Sequence, residues 1–232
     1  MYANANGLRS KLDSLQAASI LYQPDLIIIV ETKIVGKTNI AIKGYKECIM
    51  RNRKTQGGGL LIAKKDTSKI NLTAINIHEN EEHLWAKVNN NTFICIVYAP
   101  IESRTEKSIL EEWYYELEKE YLKWEDNRVM IIGDFNAKVG CDDEGVKGNH
   151  PEISTSGRNL RNLCERRNLY IMNNSEITEG LWTREDPNSS KSVLDYVIAN
   201  EEMKLQITKI RIDESHEYKL SRHKNVKERL MK

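Results

Sequence analysis

Short, nearly unbroken apolar runs punctuate the sequence at Leu26–Val30, Gly59–Ala63, Lys69–Ile77, Phe93–Tyr98, Val129–Ile132, Tyr170–Met172 and Val193–Ile198. Runs of this length, rich in Ile and Val, predict strands. Several lack any polar alternation, which predicts cover on both faces. Between them the period changes. Leu8, Leu12, Leu15 and Ala18 share one face of a helix expected over Leu8–Tyr22. Leu110, Trp113, Tyr114, Leu117, Tyr121 and Trp124 give a stronger 3.6-residue period over Ser108–Trp124, and their aromatic content reads as core. A third helix is expected over Asn159–Asn168, started by a turn at Ser154–Gly157. Interleaved helices and doubly covered strands predict an α/β sandwich of layers.

No repeat, low-complexity tract or Pro/Gly/Ser linker divides the chain. With 4 Pro and 12 Gly in 232 residues, one domain over residues 1–232 is expected. A chain this long buries on the order of 70% of its unfolded surface. Lys+Arg at 35 against Asp+Glu at 34 leaves a net charge of +1, but the balance hides an acidic stretch at Glu111–Asp126 and a basic one at Lys219–Lys232. Each reads by itself as a solvated face. No apolar run approaches the ~20 residues a spanning helix needs, and the first residues carry no signal-peptide core. The chain is therefore expected to be neither membrane-bound nor secreted. Cys48, Cys95, Cys141 and Cys164 form no CxxC pair and read as reduced thiols of an intracellular protein.

The chemistry is expected where polar residues follow those strands. Leu26–Val30 runs into Glu31, and Val129–Ile132 into Gly133-Asp134-Phe135-Asn136; Asp195 interrupts the last apolar run, and Asn4 precedes the first helix. In layered α/β folds the ends of buried strands meet at a common crevice. Three carboxylates and two amides there make an all-oxygen pocket suited to Mg²⁺. Taken singly, each residue is an ordinary cap or turn former. Asp134 and Asn136, two apart on an extended stretch, are expected to point the same way, against the blander reading of an Asx turn.

Taken together, Asn4-Ala-Asn-Gly-Leu-Arg-Ser-Lys11, Val30-Glu31-Thr-Lys33, Gly57-Gly-Gly-Leu-Leu-Ile-Ala63, Val97-Tyr98-Ala-Pro100, Ile132-Gly-Asp134-Phe-Asn136, Leu181-Trp182-Thr183-Arg184 and Ser192-Val-Leu-Asp195-Tyr-Val197 resemble the endonuclease/exonuclease/phosphatase superfamily. Within it the sequence is similar to the apurinic-endonuclease-type nuclease domain of non-LTR retrotransposons. The resemblance implies a four-layered α/β sandwich, two packed mixed β-sheets flanked by helices, and a Mg²⁺-dependent phosphodiesterase that nicks DNA, with Mn²⁺ as an alternative ion. It implies metal contacts from Glu31, Asn4 and Asp195. Asp134 would orient or deprotonate the attacking water, Asn136 and Tyr98 would donate to the phosphate, and Asp195 would support the metal network or orient a histidine. Trp182, Thr183, Arg184 and Ser192 would flank the DNA, and Lys43, Lys46, Arg51, Arg53 and Lys54 form a basic cluster that could contact phosphates. DNA is the expected partner, joined by the reverse transcriptase of the same element if the chain belongs to a polyprotein, and the nucleus the expected location.

Two alternatives stay open: a phosphatase of small phosphoesters such as inositol phosphates, or a sphingomyelinase, on the same fold; and a non-catalytic remnant. Relatives end their catalytic set with Ser-Asp-His. After Asp195 this chain has only His216 and His223, neither directly after an Asp, and both read as surface histidines. The final strand is therefore expected to be missing, the domain incomplete at its C-terminus, and the chain a weak nuclease.

Overall fold

The structure, a computed structural model, describes residues 1–38, 40–54, 57–75, 82–142, 146–147, 149–187, 190–213 and 226–230. The first part of the chain forms β1 (Tyr2–Asn4), α1 (Leu12–Tyr22), β2 (Leu26–Val30), β3 (Tyr45–Arg51), β4 (Leu60–Lys65), β5 (Leu72–Ile75), β6 (His83–Val88) and β7 (Thr92–Tyr98). It continues as α2 (Lys107–Tyr121), β8 (Arg128–Asp134), α3 (Thr155–Arg166), β9 (Tyr170–Ile171), β10 (Thr178–Glu179), β11 (Arg184–Glu185), β12 (Lys191–Ser192), β13 (Asp195–Ala199), α4 (Glu201–Lys204), β14 (Ile207–Ile212) and β15 (Val226–Leu230).

These strands form a seven-stranded sheet in the order β10-β14-β15-β1-β2-β4-β3, a six-stranded sheet in the order β5-β6-β7-β8-β13-β9, and a separate β11–β12 hairpin. In each large sheet one parallel pair is formed by strands joined directly through a helix, β1 and β2 through α1 and β7 and β8 through α2, and the seven-stranded sheet also pairs β10 with β14 in parallel. A parallel pair requires such a crossover. The other neighbours of these strands are antiparallel.

The alternation of side chains along the central strands builds four layers. Ile27 and Ile29 pack with Leu8, Leu15 and Ala18 beneath α1, whereas Ile28 and Val30 face the other sheet. In the six-stranded sheet, Ile94, Ile96, Met130 and Ile132 fill the space between the sheets; Phe93, Cys95, Val97, Val129 and Ile131 face α2 and α3. The expected sandwich of two mixed sheets flanked by helices is what the chain adopts. Among the described residues no helix is long and apolar enough to cross a membrane.

The expected helices are present, and Ser154 caps α3 by accepting from the Gly157 amide at 3.0 Å. The acidic stretch is less solvated than expected. Glu118 on α2 receives Arg166 at 2.6 Å and Arg167 at 2.7 Å from α3. Glu120, 1% exposed, accepts from Trp85 Nε1 at 2.7 Å and lies 3.1 Å from His83 Nδ1. The larger correction concerns the C-terminus. The expectation of a missing final strand does not hold, because β15 lies between β14 and β1 and pairs antiparallel with both. Its sequence, Val-Lys-Glu-Arg-Leu, carries no apolar run to announce it. His216 and His223 lie outside the described residues.

Candidate active site

β1, β2, β7 and β8 all end on one rim, where their C-terminal ends deliver Asn4, Glu31, Tyr98 and Asp134, and the antiparallel β13 begins there with Asp195. Backbone register brings Tyr98 beside Asp134, and Asp134 beside Asp195, within the six-stranded sheet. Side chains from the seven-stranded sheet then cross the gap. Asn4 Nδ2 donates to Asp134 Oδ2 at 2.9 Å, the Tyr2 hydroxyl donates to Asp195 Oδ1 at 2.6 Å, and the Tyr98 hydroxyl donates to Glu31 Oε1 at 2.5 Å. The expected site residues Asn4, Glu31, Tyr98, Asp134, Asn136 and Asp195 are thus brought to one place.

Asp134 and Asn136 do not share an extended stretch. The chain turns at Asn136, whose φ is 46°, and its amide N–H returns to Asp134 Oδ1 at 2.9 Å, so the Asx turn is the geometry adopted. Asp134, 2% exposed, is consequently fixed through both oxygens, by Asn4 and by Asn136. One N–H of the Asn136 side chain is committed to the Ala99 carbonyl at 2.8 Å, which ties this turn to the segment after β7. Gly133 makes the approach possible: a Cβ there would sit 2.0 Å from the Val97 carbonyl oxygen.

Glu31 has a left-handed backbone, φ 52°, as do Asn6, Lys33 and Asn136 at the same rim. Such a conformation in a non-glycine residue costs on the order of 1–3 kcal/mol and persists where surrounding bonds dictate it. Here Gly7 N–H donates to the Glu31 carbonyl at 2.9 Å, and the Thr32 and Lys33 amides donate to Gly59 and Gly58 at 3.1 and 2.8 Å. Gly59 is required by its own φ of +88° and because a Cβ would meet Thr32 Oγ1 at 2.4 Å. Around this turn Lys33 Nζ donates to Asn6 Oδ1, and Arg53 pairs with Glu82.

Burial, followed by Asp195 and Asp134, holds the Tyr2 phenol well above its ordinary range. Burial, followed by Glu31, does the same for Tyr98, with Arg53 acting in the opposite sense. Both hydroxyls therefore stay protonated and donate to carboxylates. The proton of Tyr98, expected to face a phosphate, is directed at Glu31 instead.

The hairpin β11–β12 leads directly into Asp195. Trp182 is half-buried with Lys191 Nζ 4.0 Å from its ring centroid, and Arg184 forks onto Asp186 Oδ1 at 2.9 and 3.2 Å. Ser192 pairs with Arg184 across the hairpin. Thr183 corrects the expectation of a nucleic-acid contact. It is 0% exposed, and its hydroxyl oxygen accepts from the Leu194 and Asp195 amides at 3.0 and 3.1 Å, so it supports Asp195 from below. Asn173 supports the same strand, donating to the Asp195 carbonyl at 3.0 Å and accepting from the Val197 amide at 2.9 Å. Tyr2 and Asn173 have no motif to mark them; the one signal available is the two-residue spacing of Tyr2 from Asn4, which puts both on one face of the strand.

The donor set fits a hard divalent ion of low protein coordination. Among the described residues no three His, Cys, Asp or Glu side chains form a metal cluster. Mg²⁺ typically takes one or two carboxylates and keeps several waters, and Glu31, Asp195 and the Asn4 carbonyl are oxygen donors of that kind.

Solved structures with this architecture include a 3′ phosphatase from Neisseria bound to a product DNA hairpin, 17% identical with a TM-score of 0.75 over 99% of this chain and 98% of that one. An AP endonuclease from Archaeoglobus fulgidus is 16% identical, with a TM-score of 0.73 over 99% and 97% of the two chains. The endonuclease domain of TRAS1, a telomere-specific non-LTR retrotransposon, is 16% identical, with a TM-score of 0.71 over 97% and 94%. At these identities the likeness carries the fold alone. A sequence search of curated proteins finds no match. The sequence itself matches the endonuclease/exonuclease/phosphatase family over residues 1–223, a span that takes in every residue of this rim, and the chain belongs to that family.

Proposed function

We propose that the chain is a Mg²⁺-dependent phosphodiesterase that nicks DNA, of the kind retrotransposons use to open a target strand. The observation that supports this most is the rim itself: Asn4 on Asp134, Tyr98 on Glu31 and Tyr2 on Asp195, gathered at the C-terminal ends of two parallel pairs. Phosphodiester hydrolysis needs an aligned water, positive charge on the non-bridging oxygens and donors for the charge that develops. In this reading Asp134, held at both oxygens, orients the water and takes its proton. Asn136 turns its second N–H to the phosphate. Tyr98 keeps Glu31 aimed into the crevice, where Glu31, Asp195 and Asn4 would hold Mg²⁺ or Mn²⁺; what the cation supplies when bound is charge on the phosphate oxygens. The β11–β12 hairpin, with Trp182 under Lys191, Arg184 and Ser192, lies against the duplex beside the scissile bond.

Incubation with supercoiled plasmid tests the proposal. Open circles are expected with Mg²⁺ and none with EDTA, and intact plasmid under both conditions would overturn it. A second reading, phosphate release, is favoured by the 3′ phosphatase among the similar structures. Phosphate freed from a 3′-phosphorylated DNA end or an inositol phosphate, without nicking, would support that reading. Retroelement origin has a separate test: a reverse-transcriptase frame following the codon for Lys232.

A further inference from the structure

We infer that Tyr2 is a positioning residue of the proposed nuclease, its hydroxyl fixing the Asp195 carboxylate and helping to clamp the two sheets at the rim. The inference rests on reading that rim as a phosphodiesterase site.

Tyr2 precedes Asn4 by two residues on β1, so both side chains leave the strand on the same face. That face is the core between the sheets, where Tyr2 is 1% exposed among Ile28, Met172, Val197 and Val226. Asn4 crosses to Asp134 and Tyr2 crosses to Asp195, and the two aspartates are partners across β8 and β13. The two crossings, 2.9 and 2.6 Å long, join positions 130 and 193 residues apart in sequence. They run side by side from one three-residue strand to the adjoining ends of two strands in the opposite sheet.

The bond geometry separates Tyr2 from the other supports of Asp195. Thr183 and Asn173 hold its backbone, through the amide and the carbonyl. Tyr2 acts on the carboxylate and stops it rotating about its last torsion. The residue type suits the distance. A phenol is rigid, with two side-chain torsions, and carries its donor at the far end of a ring that also fills the core; Ser or Thr at position 2 would stop short, and Phe would fill the space without the donor. Groups that orient metal-binding or reacting side chains in this way typically matter by 10–100-fold in affinity or activity.

The test compares Tyr2→Phe, Asp195→Asn and the double variant in the full chain. Tyr2→Phe is expected to lower the kcat of metal-dependent nicking by roughly 10–100-fold with KM changed less than about two-fold. The double variant should be no slower than Asp195→Asn alone, because the effect of the hydroxyl passes through Asp195. Wild-type kcat in Tyr2→Phe, or losses that multiply in the double variant, would overturn the inference. A readout independent of turnover is the proton NMR signal of the hydroxyl, expected downfield in the native chain, absent from Tyr2→Phe and displaced in Asp195→Asn. If the native chain nicks no DNA, the proposed function fails, and this signal decides the role of Tyr2: its absence, or indifference to Asp195→Asn, overturns it. The same signal decides if Tyr2→Phe does not fold.

Discussion

Asp134→Asn isolates charge from shape at the centre of the rim. In the native chain both oxygens of Asp134 accept, one from Asn4 Nδ2 and one from the Asn136 amide, each at 2.9 Å. An amide of the same shape offers one oxygen, so one of those two donors must face an NH₂ group. A buried donor left without an acceptor costs about 1–3 kcal/mol, and for a chain this long each kcal/mol lowers Tm by roughly 2–4 °C. The substitution also removes one negative charge next to Asp195 and near Glu31, which offsets part of that cost. The expected fall in Tm is therefore at the low end, a few degrees. The expected fall in turnover is far larger. Loss of the group that takes the water's proton typically costs ~10²–10⁴-fold, in kcat and not in KM. Single-turnover nicking of a supercoiled plasmid, measured well below the Tm of both proteins, separates the two effects. A variant within about three-fold of the native rate, or about 0.65 kcal/mol in barrier, would refute the role given to Asp134.

Three other expectations follow from the same geometry. Glu31→Gln keeps the size of the side chain and its bond to Tyr98 but removes its negative charge and one of its two oxygen donors, so calorimetry should find Mn²⁺ bound at least about ten-fold more weakly; native affinity would remove Glu31 from the metal site. Burial keeps the phenols of Tyr2, Tyr114 and Tyr196 protonated well above their ordinary value of 10.0. Below about pH 10 both folded and unfolded chains hold those protons; above it only the folded chain does, so stability falls by about 1.4 kcal/mol per pH unit for each, or about 4 for the three. Denaturation midpoints should drop steeply above pH 10, and a level profile from pH 10 to pH 12 would contradict the burial argument. The family match runs through His223, against the reading of that residue as a surface histidine; if it supplies an acid–base group, His223→Ala should reduce nicking by roughly 10²–10⁴-fold and His216→Ala should not, and native rates in both variants would leave the reading of surface histidines standing.

What could be read from the sequence, and what could not, divides along burial. β2, β7 and β8 are covered on both faces, so they are written as unbroken Ile/Val/Leu runs, and the polar residues that end them stand out. Glu31 and Asp134 were visible for that reason; Tyr98 was reached only through the family resemblance. β14 is covered unevenly, with exposed Thr208, Lys209 and Arg211 between buried Ile207, Ile210 and Ile212, and β15 is dominated by charged residues. Neither offers a run of apolar residues, which is why the last strand was expected to be absent. The Asx turn at Asn136 was set aside because its left-handed backbone depends on Asp134 Oδ1 and the Ala99 carbonyl, the second of them 37 residues away. Thr183 was placed against the DNA by the family resemblance; the donors to its hydroxyl oxygen, the amides of Leu194 and Asp195, become apparent only once the hairpin closes.

The position of β15 bears on which backbone edges this protein leaves open. β1 has β2 on one side and β15 on the other. Without β15, the chain's own N-terminal strand would become a sheet edge, with the backbone groups of residues 2–4 presented to any extended segment that could add to it. The strand that would be exposed is the one that carries Tyr2 and Asn4. A chain cut before residue 226 should therefore do more than lose stability: it should oligomerise through the same edge that holds its reactive rim, and light scattering of the shortened protein would register this as growth in mass before any loss of helix.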